Sequence, residues 1–157
     1  MKRCAGFTII EIMIVLVIVG ITTTVVSGVF YNYLDRSTAK RAAEVFRQDL
    51  TVARNAASRS RQPVEVVFDE ESLGYVIRVE AGDTIVNRFF DRDAEIILDF
   101  LDLDLTGDMV VFNNRGVADL SGAKETLGVA FFRAGDDTYT VSFNSMGSSR
   151  LDIFVAQ

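Results

Sequence analysis

One ionisable group in this sequence stands where an apolar segment would normally exclude it. Glu11 opens a run in which no charged residue recurs from Ile12 to Leu34. A carboxylate there is either tolerated beside an aqueous boundary or matched by a cationic partner, because ionisable groups in hydrocarbon are costly and mark function by default. The familiar catalytic groupings are missing. The chain of 157 residues has no His and a single Cys, Cys4. That composition rules out a Ser-His or Cys-His nucleophile system, an internal disulfide and a His- or Cys-based metal site. A formal charge of −6 argues against a protein that coats nucleic acid, which would be basic. Nothing else in the chain converges on a catalytic constellation, so no enzyme activity and no cofactor are expected.

The element that must position Glu11 is a helix. A short leader, Met-Lys-Arg-Cys-Ala-Gly, precedes Phe7-Thr8-Ile9-Ile10-Glu11, and the sequence is apolar from Ile12 to Ile21. Counted from Phe7 to Phe30, a helix would extend roughly 36 Å at about 1.5 Å per residue, enough to cross a hydrocarbon core of about 30 Å with some tilt. Thr22-Thr23-Thr24 and Ser27-Gly28 make its second half less apolar. Lys2 and Arg3 would hold the N-terminus in the cytoplasm, so that everything after Phe30 faces outward. Two plain readings stand beside a functional one. Val26-Ser27-Gly28 could end a cleaved secretory signal, although Glu11 sits badly in its apolar core. A simple anchor would tolerate Glu11 near the interface, since a charge costs about 3 kcal/mol at the helix centre and much less towards the ends. A lipoprotein signal fails, because Cys4 precedes the apolar run.

The helix is predicted to continue past the apolar run. Ala39, Ala42, Phe46, Leu50, Ala53 and Ala57 recur at steps of three and four, the signature of one buried helical face. Pro63, the only proline, ends the run and biases Gln62 to extended geometry. One helix is therefore expected from about Phe7 to about Arg61. Opposite the apolar stripe, Lys40, Arg47, Arg54 and Arg61 recur every seven residues, with Arg36, Arg41 and Arg59 nearby. This is a solvated face or a surface that pairs with acidic neighbours; without interleaved aromatics it does not read as a nucleic-acid platform.

After Pro63 the texture becomes that of strands. Runs at 64–68, 75–79, 84–90, 95–100, 109–113, 127–133, 138–143 and 150–155 are separated by turn-rich links such as Asn113-Asn114-Arg115-Gly116 and Ala134-Gly135-Asp136-Asp137. Six to eight strands after one long helix predict an α+β architecture, an antiparallel sheet wrapped on the helix, with no internal repeat. One acidic stretch holds Asp91, Asp93, Glu95, Asp99, Asp102, Asp104 and Asp108. Asp102-x-Asp104-x-Thr106-Gly107-Asp108 has some character of a calcium turn but lacks the twelve-residue spacing and its terminal Glu. The plainer expectation is a solvated loop.

Gly6-Phe7-Thr8-x-x-Glu11, behind a basic leader and ahead of a membrane helix, resembles the N-terminal signal of type IV pilins and pseudopilins. The resemblance implies that a prepilin peptidase cuts between Gly6 and Phe7 and methylates the Phe7 amine. It implies that Glu11 pairs with the Phe7 amine of an adjacent subunit as each chain joins a helical filament. Heterologous contacts of that kind build open fibres instead of closed rings. Phe46-x-x-x-Leu50-x-x-Ala53-Arg54-x-x-Ala57-x-x-x-Ser60, the strand from Val64 and Val111-Phe112-Asn113-Asn114-Arg115-Gly116 resemble more narrowly the H-type pseudopilins of type II secretion and the FimT/FimU-like minor pilins. The chain departs from several of these relatives at Ser145-Met146-Gly147-Ser148-Ser149-Arg150, where Gly147 and Arg150 are separated by two serines and Asp152 follows. A lone Arg beside an Asp is a poor phosphate clamp, so DNA binding is not expected.

The resemblance thus implies a leader at 1–6, a transmembrane helix at 7–30, its amphipathic continuation at 31–62 and a β-rich periplasmic domain at 63–157. It implies an inner-membrane, single-pass pseudopilus subunit that aids export by type II secretion, with a type IV pilus subunit acting in initiation, motility or DNA uptake as the alternative. The implied partners are the prepilin peptidase, other pseudopilins or pilins, the inner-membrane assembly platform and lipid. Lys40, Arg47 and Arg54 are candidate subunit contacts. A membrane-tethered enzyme or binding domain is the reading from another class, and it would require a pocket of convergent polar groups.

Overall fold

The computed structural model describes residues 8–80, 82–90, 96, 98–105, 107–121, 123 and 127–155, without the side chains of 25–36 and 154–155. Its contacts divide the chain into two compact units, Met1–Leu34 and Asp35–Gln157. A single helix, α1 (Ile9–Ser60), runs through both.

In the first unit the described side chains of α1 are exposed and, apart from Glu11 and the threonines, apolar, among them Ile9, Met13, Leu16, Ile18 and Ile21. Thr22 Oγ1 donates to the Ile18 carbonyl at 2.7 Å, Thr23 Oγ1 to Val19 at 2.7 Å and Thr24 Oγ1 to Gly20 at 2.9 Å. These hydroxyls are satisfied inside the helix and ask nothing of solvent. Among the described residues no helix is long and apolar enough to cross a membrane. The stretch with described side chains, Ile9 to Thr24, is roughly 24 Å long at 1.5 Å per residue, and the expected span of 7–30 extends beyond both its ends.

In the second unit α1 buries one stripe. Ala39, Ala42, Ala43, Phe46, Leu50, Ala53 and Ala57 are all fully buried, the 3.6-residue period expected. The alanines allow close approach, and Phe46 fills the centre. The helix ends at Ser60 and Arg61 turns out of it at φ 55°, a left-handed position usually given to Gly or Asn.

Among the described residues there are two antiparallel sheets instead of the single one expected. The first has the order β3-β2-β1-β5-β6, formed by β1 (Val64–Asp69), β2 (Gly74–Val79), β3 (Thr84–Phe89), β5 (Met109–Phe112) and the two-residue β6 (Ala118–Asp119). The second has the order β4-β7-β8-β9, formed by β4 (Phe100–Leu103), β7 (Gly128–Ala134), β8 (Asp137–Phe143) and β9 (Ser149–Val155). Period-two alternation turns Val64, Val66 and Phe68 inward and leaves Asp69 exposed. Phe46 joins the two sheets. Its ring lies 5.3 Å from Phe68 and 5.2 Å from Tyr75 in the first, and 5.4 Å from Phe132 and 6.3 Å from Phe143 in the second.

The strand expected at 95–100 is displaced. Pairing begins at Phe100↔Arg133 and runs to Leu103↔Ala130, while Ile96 and Leu98 are buried outside any strand. The register that buries Leu101 and Leu103 puts Asp102 on the other face of β4. Asp102 therefore belongs to a strand, and the reading of this stretch as a solvated loop is corrected for its central part. Among the described residues no three His, Cys, Asp or Glu side chains gather as a metal set.

Candidate functional site

Gly6 and Phe7, the expected processing pair, lie outside the described residues. Glu11 is described and exposed. Its N–H donates to Thr8 Oγ1 at 3.3 Å, and the Ile12 N–H donates to the Thr8 carbonyl at 3.3 Å. Thr8 is thus the N-cap of α1, and Thr8-x-x-Glu11 has the form of a capping box. A carboxylate in the first helical turn also faces the positive end of the helix dipole. Thr8 and Glu11, two of the residues that carry the resemblance, therefore have a local meaning that the sequence reading passed over. The bond observed uses the Glu11 backbone, and the box form offers its carboxylate a local role as well, so a role in assembly needs a test that separates charge from capping.

The cations expected opposite the apolar stripe lie along its flank. Seven residues turn a helix about 20° short of two full turns, so each step from Lys40 to Arg47 to Arg54 swings the side chain nearer the buried face. Lys40 is turned to Glu44, Nζ to Oε1 3.9 Å, with both side chains about half exposed. Arg47 is exposed and lines a groove of about 290 Å³ with Glu44, Gln48 and Thr51 of α1 and Ser149 of β9. Arg54 is half-buried. Arg61 stands past the helix end and breaks the series.

What covers Arg54 is a pair of matching turns. In the first, the Gly116 N–H donates to the Asn113 carbonyl at 2.8 Å, while Asn113 Oδ1 accepts from the N–H groups of Arg115 at 2.9 Å and Val117 at 3.1 Å. In the second, the Gly147 N–H donates to the Asn144 carbonyl at 2.8 Å, while Asn144 Oδ1 accepts from Met146 at 3.1 Å and Ser148 at 3.0 Å. Gly116 and Gly147 both have φ 73°, a conformation that favours glycine. The Ala118 N–H donates to the Ser145 carbonyl at 2.7 Å and ties one turn to the other. Both close on the same side chain. A methyl at Gly116 would lie 3.1 Å from Arg54 Cγ, and one at Gly147 would lie 3.0 Å from Arg54 Cδ. Asn-x-x-Gly at both places was the available signal, and Gly147, read as a departure, is half of a matched pair.

A second grouping was missed altogether. Asp49, almost fully buried, accepts at Oδ2 from the Tyr75 phenol at 2.8 Å and from Arg88 Nε at 3.0 Å. Burial and then the Asp49 charge push the Tyr75 phenol far above its ordinary pKa, so Tyr75 stays a donor. This network holds α1 to β2 and β3. It is sealed, and Arg88 is its one half-exposed member. Near β4, the Asp102 charge, followed by desolvation and the Asp108 charge, raises the pKa of the exposed Glu70.

Comparison with known proteins addresses both halves of the chain. Residues 1–27 match the family model described as the prokaryotic N-terminal methylation motif. No match was found among curated proteins. The structure is similar to that of the minor pseudopilin EpsH from the type 2 secretion system of Vibrio cholerae, with a TM-score of 0.50 and 17% identity over 74% of this chain and 97% of that one. It is also similar to the type IV minor pilin FimU of Pseudomonas aeruginosa, with a TM-score of 0.54 and 17% identity over 76% of this chain and 92% of the other. The fold is type IV pilin-like. At this identity the structural likeness is one of fold, and in the pilin-like fold the flank of α1 and the twin turns meet at Arg54.

Proposed function

We propose that this pilin-like chain is a minor subunit of a membrane-anchored filament, with no catalysis of its own. The observation that carries the reading is an N-terminal methylation motif on a chain whose domain has the fold of a minor pseudopilin and a minor pilin. The prepilin peptidase would cut between Gly6 and Phe7, methylate Phe7 and remove the positive charges of Lys2 and Arg3. Residues 7–30 would anchor the chain in the inner membrane, with 31–62 continuing the helix and 63–157 facing the periplasm. Glu11 would pair with the Phe7 amine of the next subunit while the assembly platform moves the chain from lipid into the filament. The system we favour is a type II secretion pseudopilus. A type IV pilus is the second reading, favoured by the somewhat higher TM-score of the FimU comparison.

Mass analysis of the N-terminus of the membrane-extracted protein tests the core of this reading. A methylated Phe7 is expected, and replacing Gly6 with a bulky residue should block its formation. A start after Gly28, or an intact Met1, would contradict the reading. Deletion of the gene then separates the systems: loss of secreted proteins marks the pseudopilus, and loss of pili or twitching marks the pilus.

A further inference from the structure

We propose that Arg54 is a preorganised docking cation for a carboxylate on a neighbouring subunit; this rests on the filament reading. A long basic side chain on an exposed helix loses rotamer freedom when it binds, and that entropy opposes weak surface ion pairs. At Arg54 the loss is largely made on folding. The Asn113–Val117 and Asn144–Ser148 turns close over its Cγ and Cδ, while among the described residues its guanidinium has no carboxylate partner. Lys40, by contrast, has Glu44 beside it.

Arg54 follows Thr51 by three residues on α1, about one turn past the last helical residue that lines the groove formed by Glu44, Arg47, Gln48, Thr51 and Ser149. Arg47 and Arg54 are about 10 Å apart along the helix axis at 1.5 Å per residue. Gln48, Thr51 and Ser149 offer neutral hydrogen-bonding groups beside them. Met146, beside Gly147 in the second turn, is an apolar side chain left 57% exposed. An acidic segment from another subunit fits this arrangement, with one carboxylate taken by the Arg54 fork and a second near Arg47. A nucleic-acid backbone fits less well. Glu44 lines the groove, Asp152 pairs with the nearby Arg150 at 3.0 Å, and the whole chain is acidic.

The test uses the full-length protein in isolated membranes and sheared filaments. Arg54→Lys puts a primary amine in the same cradle, and a water-soluble carbodiimide joins that amine to any carboxylate touching it, with loss of water. Mass spectrometry should find position 54 coupled to an Asp or Glu of another pilin-like subunit. Arg54→Met keeps the stem that fills the cradle. It should leave the melting temperature unchanged while lowering incorporation into filaments roughly tenfold, the value of a charge-assisted hydrogen bond. Arg54→Met incorporated at the wild-type level, or coupling of the Arg54→Lys amine only within its own chain, would overturn the proposal while leaving the filament reading intact. A wild-type chain absent from filaments would overturn both. DNA retardation that Arg54→Met abolishes would reassign the surface to nucleic acid.

Discussion

The two halves of α1 solve the burial problem in opposite ways. From Ile9 to Thr24 the described side chains are exposed, and apart from Glu11 and the three threonines they are apolar. From Ala39 to Ala57 a single stripe is buried, and cations run along one flank. The second half finds its partners inside its own domain, where Phe46 touches aromatic rings from both sheets. Among the described residues the first half has no such partner in its own unit, and a helix that is largely hydrophobic around its circumference is stable only where something else covers it. The difference teaches which residues serve the fold and which serve an environment outside the chain. Glu11 and Phe46 are the clearest members of the two classes.

Substitutions can break this comparison, and the largest effect belongs to the second half. Phe46→Ala removes the ring shared by both sheets and should destabilise the domain by about 3–5 kcal/mol, read from denaturant unfolding. Ile14→Ala in the first half should leave that transition within about 0.5 kcal/mol. A comparable loss from both would mean that the first half also serves the domain.

Asp49→Ala strips the acceptor from the buried Tyr75 phenol and should cost about 2–3 kcal/mol, discounted for the half-exposed Arg88. Asp49→Ala with Tyr75→Phe should recover part of that loss, measured as a double-mutant cycle. The twin turns sharpen the picture one step further. Gly116→Ala and Gly147→Ala each force a side chain into the left-handed region at about 1–2 kcal/mol. Gly116→Ala should be the worse of the two, because its methyl also collides with Ser58 Oγ and nears the Arg54 carbonyl oxygen. Equal melting temperatures for the two variants would mean that the first turn yields at Ser58 and the Arg54 carbonyl without cost.

The smallest effect is electrostatic. The folded pKa of Glu70 is raised, chiefly by Asp102, so the folded state binds its proton more tightly than the unfolded chain. The repulsion is absent below the unfolded value and develops as pH rises through the raised folded pKa, lowering stability there. Asp102→Asn should therefore raise the melting temperature at neutral pH, and the gain should vanish in acid. A gain that persists at low pH would have another origin.

Much of this was legible in the sequence, for identifiable reasons. The buried stripe from Ala39 to Ala57 announces itself because helical burial is periodic and local. Most strands are marked by β-branched runs between turn residues, as at Val64–Asp69 and Asp137–Phe143. The division into two sheets depends on long-range pairings such as β1 with β5 and β4 with β7, which no local pattern encodes. The start of β4 was misplaced because Ile96 and Leu98 carry the same alternation as Leu101 and Leu103 and are buried without pairing. Asp49 could have been noticed: it sits beside Leu50, three residues after Phe46, on the margin of the apolar stripe. The flank position of Arg54 was also available, since a seven-residue step on a helix does not repeat the same direction.

Glu11 is where fold and assembly make different demands, and Glu11→Gln separates them. Glutamine can serve the third position of a capping box, so the helix start should survive, but it cannot carry the charge that pairs with a neighbouring amine. The decisive measurement is the amount of Glu11→Gln protein in sheared filaments relative to membranes, with the N-terminus of both fractions checked by mass. The expected result is a chain cut and methylated at Phe7 that stays in the membrane and is missing from filaments. Glu11→Gln protein entering filaments at the wild-type level would contradict it and leave Glu11 with a place in the capping box alone.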